Sequence, residues 1–225
     1  MSALVGFLQR DRVHLAVDGA NYTADGTIGS FGDKAMVLPH LGMAIAARGV
    51  VWLLPALVSG ISLAFASFDE AAGELSDFLR DLIERNRSVI DLNPNGAAYE
   101  VAAAGWSSAD GPSLVVVKSY GSDAWKTQHV GAYLAPCDGT LLDELATRGA
   151  HPEQLADADP VAAAQTIIHE QRRRAWVGPA GETQAIGGFV ALTTCGRDEI
   201  TTRIVKRWPQ DRVGERIRAE VRTVA

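Results

Sequence analysis

The stretch SALVGFLQRDRVHLAVDGANYTADGTIGSFGDKAMVLPHLGMAIAARG, residues 2–49, decides the fold. Residues 4–9 and 13–17 are short apolar runs on either side of the charged turn Arg10-Asp11-Arg12, the pattern of a β-hairpin. The Gly-rich residues 27–32 read as a turn or bulge. Residues 34–38 and 42–47 read as a second strand pair around Pro39-His40. Asp18 stands at the end of the first hairpin and Lys34 at the start of the second, so both polar side chains fall at strand ends.

Outward from this stretch, residues 50–66 and 70–86 read as two consecutive helices. In the second, Leu75, Phe78, Leu79, Leu82 and Ile83 recur at helical spacing. Asn93-Pro94-Asn95-Gly96 is a turn. Residues 99–106, 113–120 and 130–135 read as strands. Helices follow at 141–148 and 160–174, the latter with Asp159 as N-cap and Pro160 in its first position. Residues 184–194 and 200–208 form a last strand pair joined by Gly196-Arg197-Asp198. The charged tail 210–225 has Val213, Ile217 and Val221 four apart and reads as a helical appendage. Helices in blocks between antiparallel strands predict an α+β layered domain rather than a doubly wound sheet. Without a repeat or a flexible linker, residues 1–225 are expected to form one domain.

Composition removes several function classes. Among 225 residues, 27 are acidic and 21 basic, giving a net charge of −6, which argues against a general nucleic-acid binder. The two cysteines, Cys137 and Cys195, do not make a disulfide scaffold and fit a reducing compartment, so a cytoplasmic protein is expected. Residues 49–68 carry no charge and have the length of a membrane span. Pro55, Gly60 and Ser59, Ser62 and Ser67 dilute that run, and acidic residues follow it, so it reads as a buried helix and no membrane partner is expected. The five histidines lack metal-ligand spacing, and neither metal nor cofactor is expected. The run Arg172-Arg173-Arg174 reads as a solvated helix end.

Chemistry concentrates at the N-terminus. Ser2 is small, so Met1 is of the kind usually trimmed; trimming leaves Ser2 with both a hydroxyl and a free α-amine. An α-amine titrates at about 7.7–8.0, so one residue would carry nucleophile and base together. A lysine beside that amine would repel its protonated form, and an aspartate would hold the lysine. Taken singly, Ser2 is an exposed terminal residue, Asp18 a turn residue before Gly19, and Lys34 a solvated strand end.

Together they resemble the proteasome β-subunit family of N-terminal nucleophile hydrolases, in its bacterial proteasome-like branch. The likeness rests on Ser2-Ala3-Leu4-Val5-Gly6, on Asp18 in LAVDG and on Lys34 in GDKAMVL, at offsets of 16 and 32 from Ser2 (18 − 2 and 34 − 2). It extends more loosely to the strand Gly42-Met43-Ala44-Ile45-Ala46-Ala47 and to Gly187-Gly188. The resemblance implies a four-layer αββα sandwich and a peptidase of N-terminal nucleophile type. In it Ser2 attacks, Lys34 tunes the amine, Asp18 positions Lys34, and the backbone N–H of Ala47, with Arg48 and Gly49 as near alternatives, forms the oxyanion hole. It also implies a homo-oligomeric ring or related assembly acting on peptides or unfolded proteins, with or without an ATPase partner. Where the family carries an accessory Asp and Ser before the Gly-Gly, this chain has Thr183 and Ile186, with Glu182 nearby. A second expectation of a different class is therefore a catalytically inactive proteasome-like assembly protein.

Overall fold

In the computed structural model, residues 2–23, 25–90, 98–178 and 181–218 are described, apart from the side chains of residues 89, 90, 177, 178 and 181–183. The N-terminal hairpin forms as the apolar pattern requires: β1 (Leu4–Leu8) pairs antiparallel with β2 (Val13–Asp18). Next come β3 (Ala20–Tyr22) and β4 (Ile28–Phe31), paired with a register shift between Asn21 and Tyr22. The glycines of residues 27–32 thus sit partly in a strand rather than a turn, because an open two-stranded ribbon tolerates small residues on its exposed face. β5 (Ala35–Leu38) and β6 (Met43–Arg48) follow, joined through a 3-10 turn at Pro39–Leu41.

The helices then come in a block. α1 (Leu53–Ala64) and α2 (Phe68–Arg85) are followed by the single turn α3 (Arg87–Ile90). The Ser67 side chain caps α2 by accepting from the Glu70 N–H at 3.2 Å. The expected turn at 93–96 lies outside the described residues. β7 (Glu100–Ser107), β8 (Gly111–Lys118), the short β9 (Gln128–His129) and β10 (Ala132–Ala135) lead to α4 (Gly139–Thr147) and α5 (Pro160–Arg172). Asp159 caps α5 as expected, accepting from the Ala162 N–H at 2.7 Å. A small pair, β11 (Trp176–Gly178) and β12 (Gly181–Thr183), precedes β13 (Phe189–Cys195) and β14 (Ile200–Arg207). β13 starts only at Phe189, so Gly187-Gly188 forms a turn ahead of the strand; Gly188 takes φ +77°, a conformation that suits glycine.

Two five-stranded antiparallel sheets organise the chain, in the orders β10-β1-β2-β13-β14 and β5-β6-β7-β8-β9. Strand alternation sorts their side chains into three apolar clusters. One unites the facing sheets: Leu4, Leu15 and Val17 meet Ala44, Ala46, Ala102, Ala104 and Leu114. A second sets Met43, Ile45, Val101 and Val115 against Leu57 and Ile61 of α1 and Leu75 and Leu79 of α2. The third sets Val5, Phe7 and Leu192 against Leu141 of α4 and Ile167 and Ile168 of α5. The uncharged run 49–68 is therefore one amphipathic helix and its flanks: Leu53, Leu57 and Ile61 are wholly buried, whereas Leu63 is 87% exposed. Among the described residues no helix is long and apolar enough to cross a membrane.

Two readings of the basic and C-terminal segments change. Arg172 is buried, 1% exposed, and is held by Asp211; Arg173 pairs with buried Glu170, and Arg174 with Asp138 and Glu144. The arginine run is thus an ion-paired junction and not a solvated face, because Asp211, Asp138 and Glu144 come to it from elsewhere in the chain and Glu170 pairs with it along the helix. The described part of the 210–225 tail is not helical. It runs across the β3–β4 ribbon, where the Ile28 N–H donates to Glu215 O at 2.9 Å and Ile217 packs on Ala20 and Ile28. The four-residue spacing of its apolar residues was misleading because Val213 is exposed and Ile217 alone enters a core; Val221 lies outside the described residues.

Leu57→Ala is expected to cost about 2–5 kcal/mol in urea unfolding, whereas Leu63→Ala should stay within about 0.5 kcal/mol. A second expectation concerns pH. His14 is buried on β2, stacked 4.8 Å from Phe7 and hydrogen-bonded to Thr194 Oγ1 (2.9 Å) and Gln9 Oε1 (3.1 Å). Burial, with help from the charge of Arg12, lowers its pKa from 6.5 to about 4. Between those values the unfolded chain binds a proton that the native chain refuses, so stability is full above pH 6.5 and falls as pH drops toward 4. Unfolding measured from pH 7 to pH 4 should show this slope, and His14→Gln should flatten it.

Candidate active site

The ends of β1, β2 and β5 converge on one buried ion pair. Asp18, the last residue of β2, is 0% exposed; Lys34, just before β5, is 8% exposed. Lys34 Nζ lies 2.9 Å from Asp18 Oδ1, 2.9 Å from Ser2 Oγ and 2.6 Å from Ala20 O. Three acceptors therefore match the three N–H groups of an ammonium. The hydroxyl of Ser2 thus receives a charge-assisted hydrogen bond.

Asp18 is equally well satisfied. Oδ1 accepts from the Ala3 N–H (2.8 Å) as well as from Lys34, and Oδ2 accepts from the N–H groups of Ala20 (3.3 Å) and Gly187 (3.1 Å). Four donors on one buried carboxylate fix its orientation, and the Ala3 N–H ties it to the peptide bond that follows Ser2. Burial pushes the Lys34 ammonium below the usual lysine range; Asp18 opposes this through its charge and hydrogen bond, and the nearby Arg48 charge reinforces it.

Ser2, Asp18 and Lys34 thus come together as the sequence expected. The fourth expected element is placed differently. The Ala47 N–H donates to Lys34 O at 3.4 Å, within the β5–β6 pairing. Gly49 follows directly after the end of β6. Gly49 is exposed and has φ +141°, and a Cβ there would lie 2.5 Å from Tyr99 Cδ1. Among the described residues no backbone acceptor takes its N–H.

Sequence reasoning missed the groups that Asp18 and Lys34 use besides each other: Ala3 N–H, Ala20 N–H and C=O, and Gly187 N–H. All are backbone atoms, for which no residue type is diagnostic. It also missed a buried polar group beside the site, in which Glu100 on β7 accepts from Arg48 and Tyr120. Burial and Glu100 together hold the Tyr133 phenol well above its ordinary range. Ile186, at one of the expected accessory positions, is buried; the side chains of Glu182 and Thr183 lie outside the described residues.

This is a mixed fold of antiparallel sheets and helices with a buried Lys–Asp pair at one end of its facing sheets. No protein-family model and no curated protein matches the sequence. Solved structures do share the fold. Anbu (ancestral beta-subunit) from Yersinia bercovieri superposes with a TM-score of 0.64 at 12% identity, covering 93% of this chain and 88% of that one. Anbu from Hyphomicrobium sp. strain MC1 gives 0.61 at 13% identity over 93% and 88%. The Gly-1 mutant of Anbu from that strain gives 0.65 at 13% over 94% and 89%. The chain therefore has a proteasome-like fold.

Removing one partner of the buried pair strands the other charge. Asp18→Asn and Lys34→Met are each expected to cost about 3–5 kcal/mol, and the double variant clearly less than their sum. Urea unfolding of the three variants measures that coupling.

Proposed function

We propose that the chain is an amidohydrolase of the N-terminal nucleophile class, acting on peptide bonds with Ser2 once Met1 has been removed. The observation that carries this reading is Lys34 Nζ at 2.9 Å from Ser2 Oγ with Asp18 directly behind it. The proteasome-like fold of the solved structures is consistent with it, as is the sorting of side chains into three apolar interfaces. On this reading those interfaces separate the layers of a single four-layer αββα sandwich.

The geometry supports the following roles. Lys34, with all three N–H groups engaged, acts as a fixed positive charge that favours the developing alkoxide of Ser2. It is not the base. That role falls to the α-amine freed by removal of Met1, which takes the Ser2 proton directly or through water and returns it to the leaving amine. Lys34 also keeps that amine neutral by charge repulsion. Asp18 holds Lys34 and the Ala3 peptide in one arrangement. We assign the oxyanion donor to the Gly49 N–H, because that of Ala47 is engaged within the sheet. Such a donor is typically worth about 2.7–4 kcal/mol of transition-state stabilisation. A homo-oligomer is part of the proposal, in keeping with a structural neighbour described as an ancestral beta-subunit.

Intact-mass measurement after treatment with a β-lactone acylating probe tests the reading. The mature chain should lack Met1 and carry one probe adduct on Ser2. Ser2→Ala should lose the adduct while unfolding as wild type does. Retention of Met1, or labelling that persists in Ser2→Ala, would overturn the proposal in favour of a non-catalytic assembly protein.

A further inference from the structure

The turn Ile186-Gly187-Gly188 is held from two sides. On one side the Gly187 N–H donates to Asp18 Oδ2 at 3.1 Å, and Gly187 O accepts from the Gly19 N–H at 3.1 Å. On the other stands the buried pair of Arg172 and Asp211, whose side chains are 0% and 1% exposed. Arg172 Nη1 donates to Ile186 O at 2.7 Å and to Asp211 Oδ2 at 2.8 Å. Its Nη2 donates to Asp211 Oδ1 at 2.7 Å and to Arg218 O at 3.2 Å. Asp211 Oδ2 in turn accepts from the Gly188 N–H at 2.6 Å, and the Trp208 ring stacks 4.6 Å from the guanidinium. A Cβ at Gly187 would lie 2.5 Å from Asp211 Oδ2 and 2.7 Å from Arg172 Nη1, so only glycine lets the pair close on this peptide.

A buried ion pair is a poor stabiliser, since desolvation offsets most of its attraction. This one holds both ends of Gly187: Arg172 donates to the C=O of the very peptide whose N–H touches Asp18, and Asp211 accepts from the Gly188 N–H of the next peptide. We propose that Arg172 and Asp211 are positioning residues: together they orient the Gly187 peptide so that its N–H occupies Asp18 Oδ2, leaving Oδ1 to Lys34 and the Ala3 N–H. Asp18 then has one orientation, and Lys34 one position relative to Ser2. The catalytic side of this inference rests on the function proposed above; the structural side does not.

The test is the full-length double variant Arg172→Met/Asp211→Leu, which removes both charges and leaves neither stranded. Two quantities are compared with wild type: hydrogen–deuterium exchange of the peptide spanning residues 184–190, and the kinact and KI of the β-lactone probe at Ser2. The expected result is faster exchange in that peptide, a fall in kinact of roughly tenfold to a hundredfold, and KI within about twofold, because the reacting groups are misplaced and the binding surface is not. Unchanged exchange overturns the proposal. Faster exchange with unchanged kinact also overturns it, by reducing the pair to a structural prop. If the double variant does not fold, Arg172→Lys, which keeps the charge and loses the two-pronged geometry, is read in the same way. A wild type that the probe fails to label sinks the functional reading alone, and the exchange measurement still decides whether the pair holds Gly187 on Asp18.

Discussion

A lysine ammonium leaves water only if its three protons find acceptors and its charge finds a partner, and much of the site follows from how this chain meets that demand at Lys34. The acceptors come from three separate strand ends: Asp18 from β2, Ala20 from β3 and Ser2 ahead of β1. Asp18 faces the same demand and meets it with backbone N–H groups from positions 3, 20 and 187. Neither group is served by its neighbours in sequence alone. The pair is affordable only where the hairpin, the ribbon and the last strand pair meet.

The apolar layers make that meeting possible. Alanines at 44, 46, 102 and 104 line the inner face of one sheet, and Leu4, Leu15 and Val17 fill against them from the other. Gly6 continues this economy: a Cβ there would come within 2.9 Å of Leu114 Cδ2. Small side chains set against larger ones let the two sheets close. Burial on both faces explains why strands such as β1 and β6 read as almost unbroken apolar runs.

Most of the fold was legible because its signals are local. The charged turn Arg10-Asp11-Arg12, the 3.6-residue spacing in α2 and the Asp159-Pro160 start of α5 each specify one element by themselves. Side chains of the site were legible only as a set: singly Ser2, Asp18 and Lys34 read as a terminus, a turn residue and a strand end, and their joint offsets stood out through the family resemblance. What stayed hidden depends on distant contact. Nothing near Arg172 announces Asp211, so a buried guanidinium looked like one of three solvated arginines. Segment 210–218 has a helical spacing but no helical partner, and it meets the β3–β4 ribbon through turns and a single bridge between Thr27 and Arg216. Residues 28–31 form a strand because residues 20–22 lie beside them, despite Gly29. The Ala47 N–H is spoken for by strand pairing, and a hydrogen-bond direction cannot be read from a residue name.

The strand order β10-β1-β2-β13-β14 also has a bearing on biosynthesis. β2 ends at residue 18, and the strand that covers its edge begins at residue 189. While the ribosome makes the residues between, that apolar hairpin has a row of backbone groups with no mate, the kind of template on which nascent chains stick to one another. Folding therefore cannot proceed simply from the N-terminus onward. The first hairpin must wait, shielded or tolerated, until residues 189–195 emerge and close the sheet over it, and contacts this distant in sequence are slow to form. A stalled or shortened product that lacks β13 has neither a covered β2 nor the Gly187 peptide on Asp18, so incomplete chains are left without an assembled site.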